Sequence, residues 1–99
     1  MIDQSIIQAA EQCLNKEIEA IQALIPRLDD NFVKVIQLIH ECKGKLVVTG
    51  VGKSGHIGSK IAATLASTGT PAFFLNPLDA YHGDLGMIGT EDVVLAISY

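Results

Sequence analysis

A short apolar run that ends in a glycine-rich turn constrains the fold of this 99-residue chain more than any other feature. The run, at about 45–49, is rich in β-branched residues, and the turn that follows is Gly50-Val51-Gly52-Lys53-Ser54-Gly55. Ile57, Ile61 and Leu65 come next at intervals of four residues, which is helical spacing. The pattern predicts a strand, a tight turn and then a helix at about 54–68.

The same turn predicts an anion site. Glycines let the backbone turn sharply and approach a ligand, and the start of the following helix offers N–H groups that have no helical partner. Such a corner suits an anion, most often a phosphate. Lys53 adds the only basic side chain of the turn.

Two helices are predicted before this motif. Residues from about 4 to 25 show an apolar stripe at steps of three and four, with Asp3 as the N-cap and Pro26 as the stop. A second helix begins after Asp29 or Asp30 and ends at Lys43-Gly44. The near-heptad stripe of the first helix indicates packing against another helix, either within the chain or from a second subunit.

Two further strands are predicted after it, at about 72–75 and 92–98. Both are continuous apolar runs, which is typical of strands covered on both faces, and a parallel βαβ arrangement follows. We expect a loop from Asn76 to about Gly89 between them, and it carries Asp79, Tyr81, His82 and Asp84.

The third predicted strand ends where a further binding loop is expected to begin, since ligands of open parallel sheets bind beyond the carboxyl ends of the strands. We therefore expect residues 1–99 to be the N-terminal portion of one larger domain, with a helical hairpin at about 4–43 and a βαβ part that carries the anion site at about 45–99. The alternative is a small sheet completed by a second copy.

The composition of the chain limits the binding partners, the compartment and the cofactors that we expect. The chain is 48% apolar and 18% charged with a net charge of −4, so we expect one folded domain and no nucleic-acid partner. No apolar run is long enough to cross a membrane, and no secretory signal is visible. Cys13 and Cys42 form no Cys-x-x-Cys pair, which favours reduced thiols in the cytoplasm. His82 and Asp84 are too few to make a metal site, so we expect no cofactor and no metal.

Three kinds of phosphate turn compete for this motif. The P-loop of nucleoside triphosphatases requires a glycine where this chain has Val47. The dinucleotide fingerprint requires an acid at the end of the second strand, and none occurs before Asp79. A sugar-phosphate site requires neither, so it is favoured here.

Two stretches then resemble a known family, the sugar isomerase (SIS) domain of bacterial arabinose 5-phosphate isomerases. The first runs from Gly50-Val51-Gly52-Lys53-Ser54-Gly55-His56 through Thr70-Pro71-Ala72-Phe73-Phe74, and the second is His82-Gly83-Asp84-Leu85-Gly86-Met87. The resemblance implies a flavodoxin-like α/β fold with a five-stranded parallel sheet between helices, of which this chain holds a helical pair and about three strands. It also implies conversion of D-ribulose 5-phosphate to D-arabinose 5-phosphate, a precursor of the lipopolysaccharide sugar Kdo, by a cytoplasmic homo-oligomer (dimer or tetramer).

The resemblance implies roles for particular residues as well. Lys53 and His82 match active-site positions, and Asp79 stands where the family commonly has glutamate. Gly52, Ser54 and Gly55 match the phosphate turn, and Ser98 matches the first serine of a second phosphate loop. The remainder of that loop, with a later acid and histidine, is expected beyond Tyr99.

Two functions therefore remain open. One is an aldose–ketose isomerase, in which Lys53 stabilises an enediolate, His82 opens the ring or moves a proton, and Asp79 orients His82 or contacts a hydroxyl. The other is a non-catalytic module or regulator that binds a phosphosugar. In either case we expect the isolated 99 residues to show little or no turnover.

Overall fold

The computed structural model describes residues 3–98, so the two ends of the predicted 1–99 domain lie outside the described residues. The described chain forms two compact units, one running to Val35 and the other beginning at Ile36. The elements, in chain order, are α1 (Gln4–Gln22), α2 (Asp30–His40), β1 (Leu46–Gly50), α3 (Lys53–Ser67), β2 (Ala72–Phe74), α4 (Pro77–Tyr81) and β3 (Val93–Ile97).

In the first unit, α1 begins at its predicted cap: the side chain of Asp3 accepts a hydrogen bond from the N–H of Ser5 at 2.9 Å. The helix ends at Gln22, three residues before the predicted end, and a 3-10 turn at Ile25–Arg27 follows. Pro26 lies inside that turn, and it has no N–H to donate to the carbonyl oxygen of Gln22, four residues earlier. The proline therefore ends α1 earlier than the apolar spacing indicates.

The second helix also ends early, and the prediction that it reaches Lys43-Gly44 is wrong. It stops at His40, so Cys42 lies outside a helix, and the thiol of Cys42 is 3.4 Å from the carbonyl oxygen of Glu91. Gly44 does not cap the helix. Its N–H donates to the same carbonyl at 3.2 Å, and a Cβ at this position would come within 2.8 Å of it. Contacts with the segment before β3 outweigh the local signals here.

The sheet is parallel, in the order β2-β1-β3, and β1 is the central strand. Leu46 is aligned with Ala72 on one side and with Val93 on the other. The predicted parallel βαβ unit is thus confirmed, and each of its elements lies within one residue of the predicted bounds.

Successive side chains of β1 point to opposite faces of the sheet, and the two faces contact different elements. Leu46 and Val48 pack with Ala62 of α3 to form the core on one face. Val47 is also fully buried, on the face that carries α4. The expectation that β3 is covered on both faces is wrong, because Val94 is 49% exposed and the strand alternates between half-buried and exposed residues.

The predicted loop from Asn76 to Gly89 contains regular structure. α4 begins where the side chain of Asn76 accepts a hydrogen bond from the N–H of Leu78 at 2.8 Å, with Pro77 in the first turn. A 3-10 helix follows at Asp84–Met87. An asparagine cap before a proline is an ordinary helix start, so the signal was present in the sequence.

No helix within residues 3–98 combines the length and the apolar character needed to cross a membrane.

Candidate functional site

The candidate site lies at the carboxyl edge of the sheet, where β1 gives way to α3. Gly52 caps α3 with φ of 62° and ψ of −126°, a conformation that glycine adopts far more readily than other residues. The first helical bond runs from the N–H of His56 to the carbonyl of Gly52, at 3.2 Å. The N–H groups of Lys53, Ser54 and Gly55 precede that bond, so they are available to an anion.

A close approach of backbone atoms holds α3 against the end of β1. Gly55 is buried, and a Cβ at its position would lie 2.7 Å from the carbonyl oxygen of Gly50. Gly58, one turn later, would place a Cβ 3.1 Å from a methyl carbon of Val48. Glycine at 55 therefore shapes the turn through packing, and it does not require contact with a ligand.

A cleft of about 350 Å³ opens beside this turn. It brings together the two serines predicted for phosphate binding, although Ser54 follows β1 and Ser98 follows β3. These two strands are paired up to their last residues, since Gly50 is aligned with Ile97. The other lining residues are Thr49, Gly50, Val51, Pro77, Ala96 and Ile97.

The three predicted catalytic side chains do not line this cleft. Lys53 is exposed at the first residue of α3, Asp79 is exposed in the first turn of α4, and His82 is exposed at the end of α4. Gly52 and Gly55 also lie outside the lining, in the backbone of the turn itself. The structure therefore places Ser54 and Ser98 in one cleft. Lys53 is next to Ser54 in α3, and Asp79 and His82 belong to α4 and its C-cap, outside the lining of the cleft.

His82 contacts a different neighbour from the one suggested by the sequence. Within residues 3–98, no hydrogen bond joins Asp79 to His82. The ring of Tyr81 instead meets the His82 ring edge to face, with centroids 5.4 Å apart. Orientation of His82 by Asp79 stays a prediction.

Sequence reasoning missed Thr49, which lines the cleft near the end of β1. Its hydroxyl donates to the carbonyl oxygen of Leu75 at 2.6 Å. A polar residue just before the glycines of an otherwise apolar strand was the available signal.

Throughout the described range 3–98, no three His, Cys, Asp or Glu side chains are grouped so as to hold a metal ion.

Together, the parallel sheet, the glycine turn and the serine-lined cleft define an α/β protein with a candidate site at the carboxyl edge of its strands. The family model described as the SIS domain matches residues 38–99. The chain belongs to the SIS-domain family, as its resemblance predicted.

Curated relatives extend this likeness over nearly the whole chain. Arabinose 5-phosphate isomerase GutQ of Escherichia coli K12 is 55% identical over 98 residues, covering 99% of this chain and 30% of the relative. Arabinose 5-phosphate isomerase KdsD of Pseudomonas aeruginosa is 54% identical over 92 residues, covering 93% of this chain and 28% of the relative. The chain thus spans less than a third of the length of these relatives.

A solved structure has a fold similar to that of this chain. An Escherichia coli CFT073 protein in complex with arabinose 5-phosphate superposes with a TM-score of 0.91 at 43% identity, covering 99% of this chain and 52% of that one. The predicted fold class is thereby confirmed.

Proposed function

We propose that this chain is the N-terminal part of a sugar-phosphate isomerase that interconverts D-ribulose 5-phosphate and D-arabinose 5-phosphate. The observation that carries the proposal is the cleft in which Ser54 and Ser98 meet beside the start of α3. Relatives named arabinose 5-phosphate isomerase and a similar structure that holds arabinose 5-phosphate support this choice of substrate.

In this proposal the phosphate of the substrate binds at the first turn of α3. The N–H groups of Gly52, Lys53, Ser54 and Gly55 face the anion, and the partial positive charge of the helix start favours it. Hydroxyl groups of Ser54 and Ser98 donate to phosphate oxygens from the two sides of the cleft. A phosphorylated pentose then extends from the turn toward α4.

Isomerisation moves a proton between two adjacent carbon atoms while the carbonyl passes through an enediolate. Lys53 would stabilise the negative charge that develops on the enediolate oxygen. His82 would assist ring opening or carry a proton, and Asp79 would orient it or bind a sugar hydroxyl. The base that removes the carbon-bound proton is assigned to none of these three residues.

One observation favours a second function, that of a non-catalytic module or regulator that binds a phosphosugar. The serines line the cleft in this chain, whereas Lys53, Asp79 and His82 do not. A chain that holds the phosphate without these three groups in reach would bind the sugar and leave it unchanged.

A hybrid isomerase tests the two functions against each other. In this hybrid, the matching 98-residue stretch of Escherichia coli K12 GutQ is replaced by the present chain. We expect the hybrid to isomerise ribulose 5-phosphate and the isolated 99 residues to show little or no turnover. Calorimetric binding of arabinose 5-phosphate without turnover by the hybrid would support the binding module.

Lys53→Ala in the hybrid tests the proposed role of the lysine. Loss of a group that stabilises developing charge should lower kcat by roughly 100-fold or more. Lys60→Ala is the matched control, because Lys60 is an exposed lysine two turns further along α3. Full activity of Lys53→Ala would remove Lys53 from the mechanism.

We also propose that the complete protein is a cytoplasmic homo-oligomer, a dimer or a tetramer, that serves carbohydrate metabolism through lipopolysaccharide biosynthesis. The exposed apolar stripe of α1 supports the oligomer. The compartment and the pathway are what the resemblance to arabinose 5-phosphate isomerases implies.

A further inference from the structure

Thr49 fastens the end of β1 to the segment that follows β2. Its Oγ1 donates to the carbonyl oxygen of Leu75 at 2.6 Å, and the N–H of Leu75 donates to the carbonyl oxygen of Val48 at 2.8 Å. Both backbone groups of Leu75 are therefore held by consecutive residues of β1. Because Leu75 is only 5% exposed, its carbonyl oxygen has little access to water that would replace the threonine.

The segment fastened in this way leads directly into α4. Asn76, the N-cap of α4, is the next residue, and the helix then carries Asp79 and ends at its cap residue His82. The position of Leu75 relative to β1 thus sets where α4 begins. The same strand, β1, leads on its own side into the phosphate turn.

Thr49 also lies between the two hollows of this edge. It lines the cleft that holds Ser54 and Ser98, and it lines a neighbouring apolar hollow of about 330 Å³ that reaches Ala80 and Tyr81 of α4. Thr49 therefore lies between the cleft proposed for the phosphate and the helix that carries the proposed acid–base groups.

We propose that Thr49 is a positioning residue whose hydroxyl sets the distance between the phosphate turn and α4. This inference rests on the proposed isomerase function. If the bond to Leu75 is removed, the start of α4 is free to shift relative to a sugar whose phosphate stays anchored at α3. Misplacement of a reacting group by about 1 Å can cost roughly 100-fold in rate. Although Thr49 lines the cleft, its hydroxyl proton is donated to the carbonyl oxygen of Leu75, so we expect binding of the phosphate to change little.

Thr49→Val and Thr49→Ser in the hybrid isomerase test the inference. Valine keeps the shape and removes the donor, so we expect kcat to fall roughly tenfold or more while KM stays within about twofold. Serine keeps the donor and should retain most of the wild-type kcat. Thr68→Val is the matched control, because Thr68 also donates to a backbone carbonyl, that of Thr64 at 2.9 Å, but at the far end of α3. It should leave both constants unchanged.

Amide hydrogen exchange of residues 76–82 in the 99-residue chain gives a second readout that requires no activity. We expect faster exchange there in Thr49→Val and not in Thr49→Ser. Wild-type kcat in Thr49→Val, or equal losses in both variants, would overturn the inference. If the unsubstituted hybrid itself shows no turnover, the proposed isomerase function fails, and unchanged exchange in Thr49→Val then overturns the positioning role separately.

Discussion

Two glycines of the turn between β1 and α3 are required for different physical reasons. Gly52 has a φ of 62°, and a side chain there would meet open space, so its requirement is conformational. Gly55 lies in ordinary helix, and its requirement is steric, because the carbonyl oxygen of Gly50 occupies the space that a Cβ would need. The sequence identifies a glycine-rich turn, but it does not distinguish these reasons, since both depend on the path of the neighbouring backbone.

Gly55→Ala should destabilise the chain although alanine is the better helix former. The propensity gain is about 1 kcal/mol. Moving α3 away from the end of β1 to admit the methyl group costs typically about 1–3 kcal/mol, as overpacking does. Because that obstacle is backbone and cannot rotate away, we expect a cost in the upper part of this range and a net loss of about 1–2 kcal/mol in urea unfolding. Gly86→Ala, where nothing lies within 4 Å, is the control, and equal stabilities of the two variants would contradict the steric explanation.

Between elements, a carboxylate joins the starts of β1 and β3 at the end of the sheet opposite the cleft. Asp92 accepts hydrogen bonds from the N–H groups of Gly89 and Lys45, each at 2.7 Å. The Gly89 bond, followed by the Lys45 bond, lowers the pKa of the Asp92 carboxyl below its ordinary value of 3.8. Since the folded chain binds this proton less readily than the unfolded chain, the stability from Asp92 is present above about pH 4 and is lost as the pH falls further.

Asp92→Asn should therefore be less stable than the wild type at pH 7, and this difference should shrink between about pH 4 and pH 2. An asparagine keeps one acceptor oxygen and loses the charge that both N–H groups favour. Chemical denaturation at about pH 7, 5 and 3 measures the effect. Glu91→Gln, next to it in sequence, provides the control for loss of one negative charge. A difference between Asp92→Asn and the wild type that stays constant with pH would disprove the role of ionised Asp92.

The sequence predicts β1, α3, β2 and β3 well because each has its own local signal. The strands are apolar runs, and α3 has apolar residues at every fourth position. It predicts the end of α2 poorly because Gly44 serves a contact with Glu91, almost half the chain away, that no local pattern encodes. It finds Ser54 and Ser98 through family resemblance, and the pairing of β1 with β3 then explains why they share a cleft. The sequence does not identify Thr49, because the role of Thr49 depends on the position of Leu75 beside β1.

At the scale of the whole molecule, α1 leaves its apolar stripe uncovered. Ile7, Leu14, Ile18 and Ile21 are 39%, 59%, 50% and 65% exposed, and no residue of Gln4–Gln22 is buried. Amphipathic helices with this spacing are stabilised mainly by packing their apolar face. The proposed homo-oligomer would cover it with the same stripe of a second copy.

We expect the chain to form dimers or larger assemblies at tens of micromolar, and light scattering coupled to size exclusion measures this mass. Replacing both Leu14 and Ile18 by glutamate should yield the single-subunit mass, because two charges would then lie in the interface. Gln8→Glu with Asn15→Glu adds the same charge outside the stripe and should leave the assembly intact. A wild-type chain of single-subunit mass at these concentrations would contradict the proposed interface.

The strand order β2-β1-β3 also has a consequence for the order in which the cleft forms during folding. Thr49 and Leu75, which join β1 to β2, are 26 residues apart, whereas Lys45 and Asp92, which join β1 to β3, are 47 apart. Closing the longer loop costs roughly 0.5 kcal/mol more in chain entropy, and prior docking of β2 shortens the remaining loop. The β1–α3–β2 unit is therefore the cheaper nucleus, and the edge that seats Ser54 beside Ser98 is completed when β3 adds to it. We therefore expect the glycine turn with Ser54 to form first and Ser98 to join it when β3 pairs with β1.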